Sequence, residues 1–353
     1  MSGKTPRILV IRRDNIGDLV CTLPLIAALR QRFPDAYLAA LVNSYNRDVL
    51  QGNPDLDEVF AYTKAKHREP DETVLGVHWR RLMLFRHLRK LRFDYVVLGG
   101  AHFLPRALQL ARPLRARHIV GFTEPDRRGV QHIDTGVPYG SGDGLHEVED
   151  IFRLAAPFGI EGEAPPARVV AEESLRQTFA AQLPPDFAGH LLVGLHVSAR
   201  KPSNRWPAER FIELAHGLHE RHGARFLLFW SPGAADDRFH PGDDDKALAI
   251  AEALGPELLN PVRTTQLGEL IAGLSLCDAV VCSDGGAMHI AAALEKPIVC
   301  LFGGTDPVRW HPWRVPHILL QEATRDVSDI RVDALSDAFD VLMEQASANN
   351  KTI

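Results

Sequence analysis

Short apolar, β-branched runs alternate along the chain with stretches whose apolar positions recur every three or four residues. In the first half the runs are RILVIR, AYLAALV, DEVFAY, DYVVLGG and RHIVGF; in the second they are LLVGLHV, RFLLFW, DAVVCS and PIVCLFG. Helical patterns fall between them, among them PLIAALRQRF, AERFIELAHGLHERH and KALAIAEALG. Runs without clean alternation suit strands covered on both faces, and therefore parallel sheets. Two successive β-α-β series predict an α/β protein of two doubly wound domains. The break falls in GIEGEAPPARVVAEE, at residues 160–172, rich in Gly, Pro and Glu. It sets a first domain at residues 1–165, a second at 166–335, and a C-terminal helix with a frayed end at 336–353. Ligands of such sheets bind beyond the carboxyl ends of the strands, so the expected active site is a cleft between the two domains.

Composition narrows the function without naming it. The chain of 353 residues is 45% hydrophobic and 24% charged, ordinary for a globular protein and long enough for two domains. A formal net charge of −5 argues against a general nucleic-acid binder. Cys21, Cys277, Cys282 and Cys300 form no CxxC pair and sit in apolar runs, which predicts buried thiols in a reducing compartment. The opening MSGKTPRILVIRRDNIGD is charged too early for a signal peptide, and no run reaches the roughly 18–20 apolar residues of a membrane span. The expected location is cytoplasmic, at most peripheral to a membrane. One segment departs from the acidic balance: VHWRRLMLFRHLRKLRF carries Arg80, Arg81, Arg86, Arg89, Lys90 and Arg92. Leu84, Leu88 and Leu91 recur there at helical spacing, with Arg86, Arg89 and Lys90 on the opposite face. That face is either simply solvated or a surface for an anionic acceptor or membrane.

Three stretches carry chemistry. In RILVIRRDNIGD, Asp18 stands directly behind Gly17 where strand should turn to helix, with no paired charge immediately beside it. A carboxylate there caps a helix N-terminus, or accepts the proton of a hydroxyl as general base. No GxGxxG follows this strand, so the usual dinucleotide fingerprint is missing. In HVSARKPSNRWPAERF, Arg200, Lys201 and Arg205 crowd a loop before a helix with Pro207 in its first turn. Cations beside a helix N-terminus form an anion site of the kind a diphosphate needs; a solvated basic loop is the plainer alternative. In CDAVVCSDGGAMHIAAALEKPIVCLFGGTDP, a strand runs into Ser283-Asp284-Gly285-Gly286 and a helix starts at about Ala287. The glycines let backbone N–H groups approach a phosphate, Asp284 holds the loop or binds a sugar hydroxyl, and His289 is placed to donate to a phosphate. The next strand ends in a second glycine loop, Gly303-Gly304-Thr305-Asp306-Pro307. Asp243, Asp244 and Asp245 suggest a metal motif, but acids at a helix start are explained more cheaply by the helix dipole. HExxH, GxSxG and Walker motifs are absent from the sequence.

Taken in order, RRDNIGDLVCTLPLI, RWP and SDGGAMHIAAALEKPIVCLFGGTDP resemble the family 9 glycosyltransferases, the ADP-heptose:lipopolysaccharide heptosyltransferases. The similarity runs along nearly the whole chain. It implies a GT-B architecture of two Rossmann-like domains facing across a cleft, with acceptor on the N-terminal domain and nucleotide sugar on the C-terminal one. It also implies an inverting transfer without metal or other cofactor, Asp18 as catalytic base, and Gly17 with Arg86, Arg89 and Lys90 on the acceptor side. The donor side would comprise Ser198, Arg200, Lys201, Asn204, Arg205, Asp284, Gly285, Gly286, Ala287, Met288 and His289. The implied partners are ADP-heptose, the lipopolysaccharide core and the anionic inner membrane, with no nucleic acid. Two positions depart from the family: Asn204 stands where a lysine is common, and Asp284-Gly285-Gly286 where Asp-Thr-Gly or Asp-Ser-Gly is common. The rival readings are another nucleotide hexose for a different surface glycan, a non-hydrolysing sugar-nucleotide 2-epimerase, and a non-catalytic sugar-nucleotide-binding protein.

Overall fold

The computed structural model describes residues 5–63, 74–140, 144–236 and 242–350. The chain divides into two compact units, Met1–Arg168 and Val169–Ile353. The first holds strands β1 (Arg7–Ile11), β2 (Tyr37–Asn43), β3 (Glu58–Tyr62), β4 (Tyr95–Leu98), β5 (His118–Thr123) and β6 (Thr135–Pro138). The second holds β7 (Leu192–His196), β8 (Arg225–Phe229), β9 (Leu259–Pro261), β10 (Ala279–Ser283), β11 (Ile298–Leu301) and β12 (His317–Leu320). All neighbouring strands run parallel, in the orders β3-β2-β1-β4-β5-β6 and β12-β11-β10-β7-β8-β9. Read from the first strand of each unit, the two orders are the same doubly wound pattern, so the α/β class and paired Rossmann-like sheets are as expected.

Burial explains why these runs are strands. Ile8, Leu9, Val10 and Ile11 are all buried, so β1 is covered on both faces and shows no alternation. The same holds for Val280, Val281 and Cys282 of β10. The four cysteines are buried and unbridged, and burial pushes the Cys277 thiol up to about 12. Three strands escaped the hydrophobic pattern: β6, β9 and β12. Each lies at a sheet edge, where one flank needs no apolar neighbour, and β6 and β9 both end in proline. Helix Val332–Asn350 packs on helix Ala208–His222 and on β11 and β12 within the second unit.

Candidate active site

In each unit the strand order reverses beside its first strand, between β1 and β4 and between β7 and β10. Such switch points leave a crevice at the carboxyl ends of the strands. The first is occupied by Asp18. Helix Ile16–Val20 starts from the N-cap Asn15, and Asp18 is its third residue, completing a capping box. Asp18 Oδ2 accepts from the Asn15 backbone N–H at 3.0 Å and from its side-chain amide at 2.9 Å. Asp18 Oδ1 accepts from Arg12 Nη2 at 2.7 Å. No charge of opposite sign adjoins Asp18 in the sequence; its partner sits six residues back, just past the end of β1. Both roles weighed for Asp18 are compatible. With two bonds already on Oδ2, the remaining acceptor capacity lies on Oδ1, and the side chain is 16% exposed.

Arg12 is only 1% exposed and is shared among several groups. Its Nη1 donates to Gly99 O at 2.6 Å, while Nη2 lies 3.5 Å from Glu147 Oε1 and Nε 3.5 Å from Asp14 Oδ2. Thr22 Oγ1 donates to the carbonyls of Asp18 and Gly99, closing the ring around the β1–β4 junction. Gly100 is glycine because a Cβ there would lie 2.4 Å from Arg12 Nη1. Arg12, Thr22, Gly99, Gly100 and Glu147 were missed from sequence. The available signals were an arginine at a strand end and a Gly-Gly pair directly after β4.

Gly17 is buried beside Asp18, but the basic cluster is elsewhere. Arg86, Arg89 and Lys90 are exposed near the C-terminal end of helix Val74–Lys90. That helix runs back along the sheet: Arg81 lies over the ring of Tyr62 at the carboxyl end of β3, whereas Phe93, just past the helix, stacks on Tyr37 at the start of β2. The cluster therefore sits toward the amino ends of the strands, and the structure does not bring it together with Asp18.

The second unit gathers three loops at its own switch point. Asn204 is buried, and its Nδ2 donates to the Asp284 carbonyl and carboxylate at 3.4 and 3.5 Å. Lys201 Nζ donates to Thr305 Oγ1 at 3.4 Å, joining the basic loop to the second glycine loop. Gly303 permits this approach, since a Cβ there would lie 2.3 Å from Asn204 Oδ1 and 2.5 Å from Ser203 O. Helix Gly286–Ala293 presents its N-terminus at the same junction, with Gly285 as extended N-cap. Ala287, Met288 and His289 are buried in its first turns, and the His289 ring is edge-on to Trp310 at 5.9 Å.

The remaining residues of the basic loop mostly hold it in shape. Trp206 is a core anchor, edge-on to Phe211 at 4.9 Å, with Nε1 donating to Ile330 O at 3.0 Å. Pro207 is the N-cap of helix Ala208–His222, one position before the first turn. Arg205 is turned inward, donating to Ala199 O at 2.8 Å and lying 4.0 Å from Asp243. Ser198 is buried and its Oγ accepts from Ser231 N at 2.8 Å. Lys246, not anticipated, donates to Val197 O at 2.8 Å and Trp206 O at 2.6 Å, pinning both ends of the loop; burial lowers its ammonium to about 8. Arg200 and Lys201 remain the exposed cations of the loop. Asp244 accepts from Trp230 Nε1 at 2.7 Å, and Asp243 faces Arg205.

The family model for glycosyltransferase family 9 (heptosyltransferase) matches residues 81–330. Lipopolysaccharide heptosyltransferase 1 of Escherichia coli (strain K12) is 33% identical over 302 residues, covering 85% of this chain and 89% of that protein. Among solved structures, a family 9 glycosyltransferase from Veillonella parvula superposes with a TM-score of 0.79 at 21% identity, over 98% of this chain and 99% of that one. The E. coli ADP-heptose lps heptosyltransferase II superposes with a TM-score of 0.75 at 21% identity, over 97% of this chain and 99% of that one. On that family match and that relative, the chain belongs to glycosyltransferase family 9 (heptosyltransferase).

Proposed function

We propose that the enzyme moves a heptose from ADP-heptose onto the core of a lipopolysaccharide, by inverting displacement and without a metal. The observation that carries this reading is Asp18, fixed at the β1–β4 switch by Arg12 and Asn15 with acceptor capacity left on Oδ1. In the displacement, an acceptor hydroxyl gives its proton to Asp18 Oδ1 and its oxygen bonds to the anomeric carbon. The bond from that carbon to the ADP oxygen breaks, and negative charge collects on the departing diphosphate. Lys201, Arg200 and the N-terminus of helix Gly286–Ala293 stabilise that charge, with His289 and Asp284 close to it. The first unit takes the acceptor and the second the nucleotide sugar. Because such an acceptor is lipid-borne, the enzyme works peripherally at an anionic inner membrane surface.

The names of the relatives support this choice of substrates, and family membership favours transfer over the 2-epimerase alternative. Titration calorimetry with ADP-heptose, UDP-sugars and GDP-sugars, followed by mass analysis of the product, tests the reading. ADP-heptose is expected to bind most tightly and to add one heptose to a lipopolysaccharide-core acceptor. Tighter binding of a UDP- or GDP-hexose, or conversion of the donor without acceptor, would overturn it.

A further inference from the structure

Helix Val74–Lys90 has two apolar faces, of which one packs into the fold among the described residues. Val77 and Leu88 are buried, with Leu84 and Leu91 packed beside them against the first unit's core. On the opposite side Leu75, Trp79, Leu82 and Met83 are 82%, 63%, 50% and 48% exposed. Positions 75, 79, 82 and 86 repeat at the helical period, so three of these side chains form one stripe that continues into Arg86. Arg89 and Lys90 flank the same stripe one turn further on. The helix contains no acidic residue, and among the described residues no carboxylate pairs with Arg86, Arg89 or Lys90. Arg89 also lines an open pocket of about 430 Å³ with Arg112, Arg115, Gln109 and Pro113. Three arginines around one pocket suit a phosphate group.

Exposed singly, such hydrophobics need no explanation; aligned on one face beside unpaired cations, they do. The charge selects the partner. In a chain of net charge −5, a helix with basic but no acidic side chains attracts anions, and a large exposed indole and two leucines ask for a nonpolar phase next to them. We infer that the outer face of helix Val74–Lys90, with the Arg89–Arg112–Arg115 pocket, docks flat on a bilayer containing anionic phospholipid. Trp79, Leu75 and Leu82 enter the headgroup–acyl boundary, and the arginines and Lys90 meet lipid phosphates. The inference rests on the proposed lipid-borne acceptor for its biological purpose, but it is read by binding and not by turnover.

The test is flotation of the full-length protein with vesicles of phosphatidylcholine alone, or with about one-third phosphatidylglycerol. Wild type is expected to float with the anionic vesicles, weakly with the neutral ones, and less as salt rises. The combined variant Leu75→Ser, Trp79→Ser, Leu82→Ser is expected to weaken binding at least ~10-fold, and Arg86→Gln, Arg89→Gln, Lys90→Gln by about 100-fold. A blue shift of indole emission on vesicle addition, lost in Trp79→Phe, would place that side chain at the boundary. Circular dichroism checks that each variant keeps its helix content. Three results would overturn the inference: no binding to anionic vesicles, binding indifferent to the serine variant, or a concentration-dependent dimer that the serine variant abolishes without any vesicle binding. Failure here with heptose transfer intact would leave the proposed reaction standing, and loss of transfer with vesicle binding intact would do the reverse.

Discussion

Removing the guanidinium of Arg12 takes away the cation shared by Asp14, Asp18 and Glu147 at the end of β1, where Asp18 and Glu147 are well shielded from water. A buried pair broken on one side costs about 3–5 kcal/mol, much of it the penalty of the charges left behind. Arg12→Met is therefore expected to lose about that much stability in urea unfolding, and adding Glu147→Gln should restore part of it. A loss below about 1 kcal/mol would mean the cluster is not held by this ion pair. Asp18 itself was legible, because a carboxylate behind a glycine at a strand end has few uses. Arg12 was not. Two of its partners, Gly99 and Glu147, lie 87 and 135 residues away, so the pairing of β1 with β4 and the return of Glu147 are needed to complete the site.

Loops and strands differ in how far sequence reveals them. Central strands announce themselves because both faces are covered; β6 and β9 do not, because edges tolerate proline and polar residues, and β12 is a four-residue edge strand too short to stand out. The glycine loops were visible as motifs, but which glycine matters depends on what the fold brings near. At Gly303 an added Cβ meets the Ser203 carbonyl at 2.5 Å, backbone that cannot swing aside, whereas nothing lies within 4 Å of one at Gly304. Gly303→Ala is expected to destabilise the protein by about 1–3 kcal/mol and to weaken donor binding by shifting the Lys201 loop. Gly304→Ala should melt close to wild type. Equal melting of the two variants by scanning calorimetry would contradict the close approach of these loops. The Trp-Pro pair also changes meaning: Trp206 is a core anchor for the loop, and the exposed cations beside it are Arg200 and Lys201.

At the scale of the molecule, two units with one strand order place a site at each switch point, an acid in the first and a cationic glycine-rich junction in the second. The alternation of strands and helices made that duplication legible, and the ordered motifs made the family legible. The helical spacing of Leu84, Leu88 and Leu91 was legible in the basic helix; the crossover direction, which carries Arg86, Arg89 and Lys90 away from Asp18, was not. The central claim is that Asp18 takes the acceptor proton rather than only capping its helix. Asparagine at this position keeps a side-chain oxygen for the Asn15 amides, so Asp18→Asn separates the two roles. Turnover with saturating ADP-heptose and lipopolysaccharide-core acceptor, measured beside donor affinity, is the direct test. The account predicts a fall in kcat of about 10²–10⁴-fold with donor affinity nearly unchanged, and a lower melting temperature because the amide cannot accept from Arg12 Nη2 while serving Asn15. A variant that keeps more than about a tenth of wild-type kcat while binding donor normally would contradict it, and would leave Asp18 a cap only.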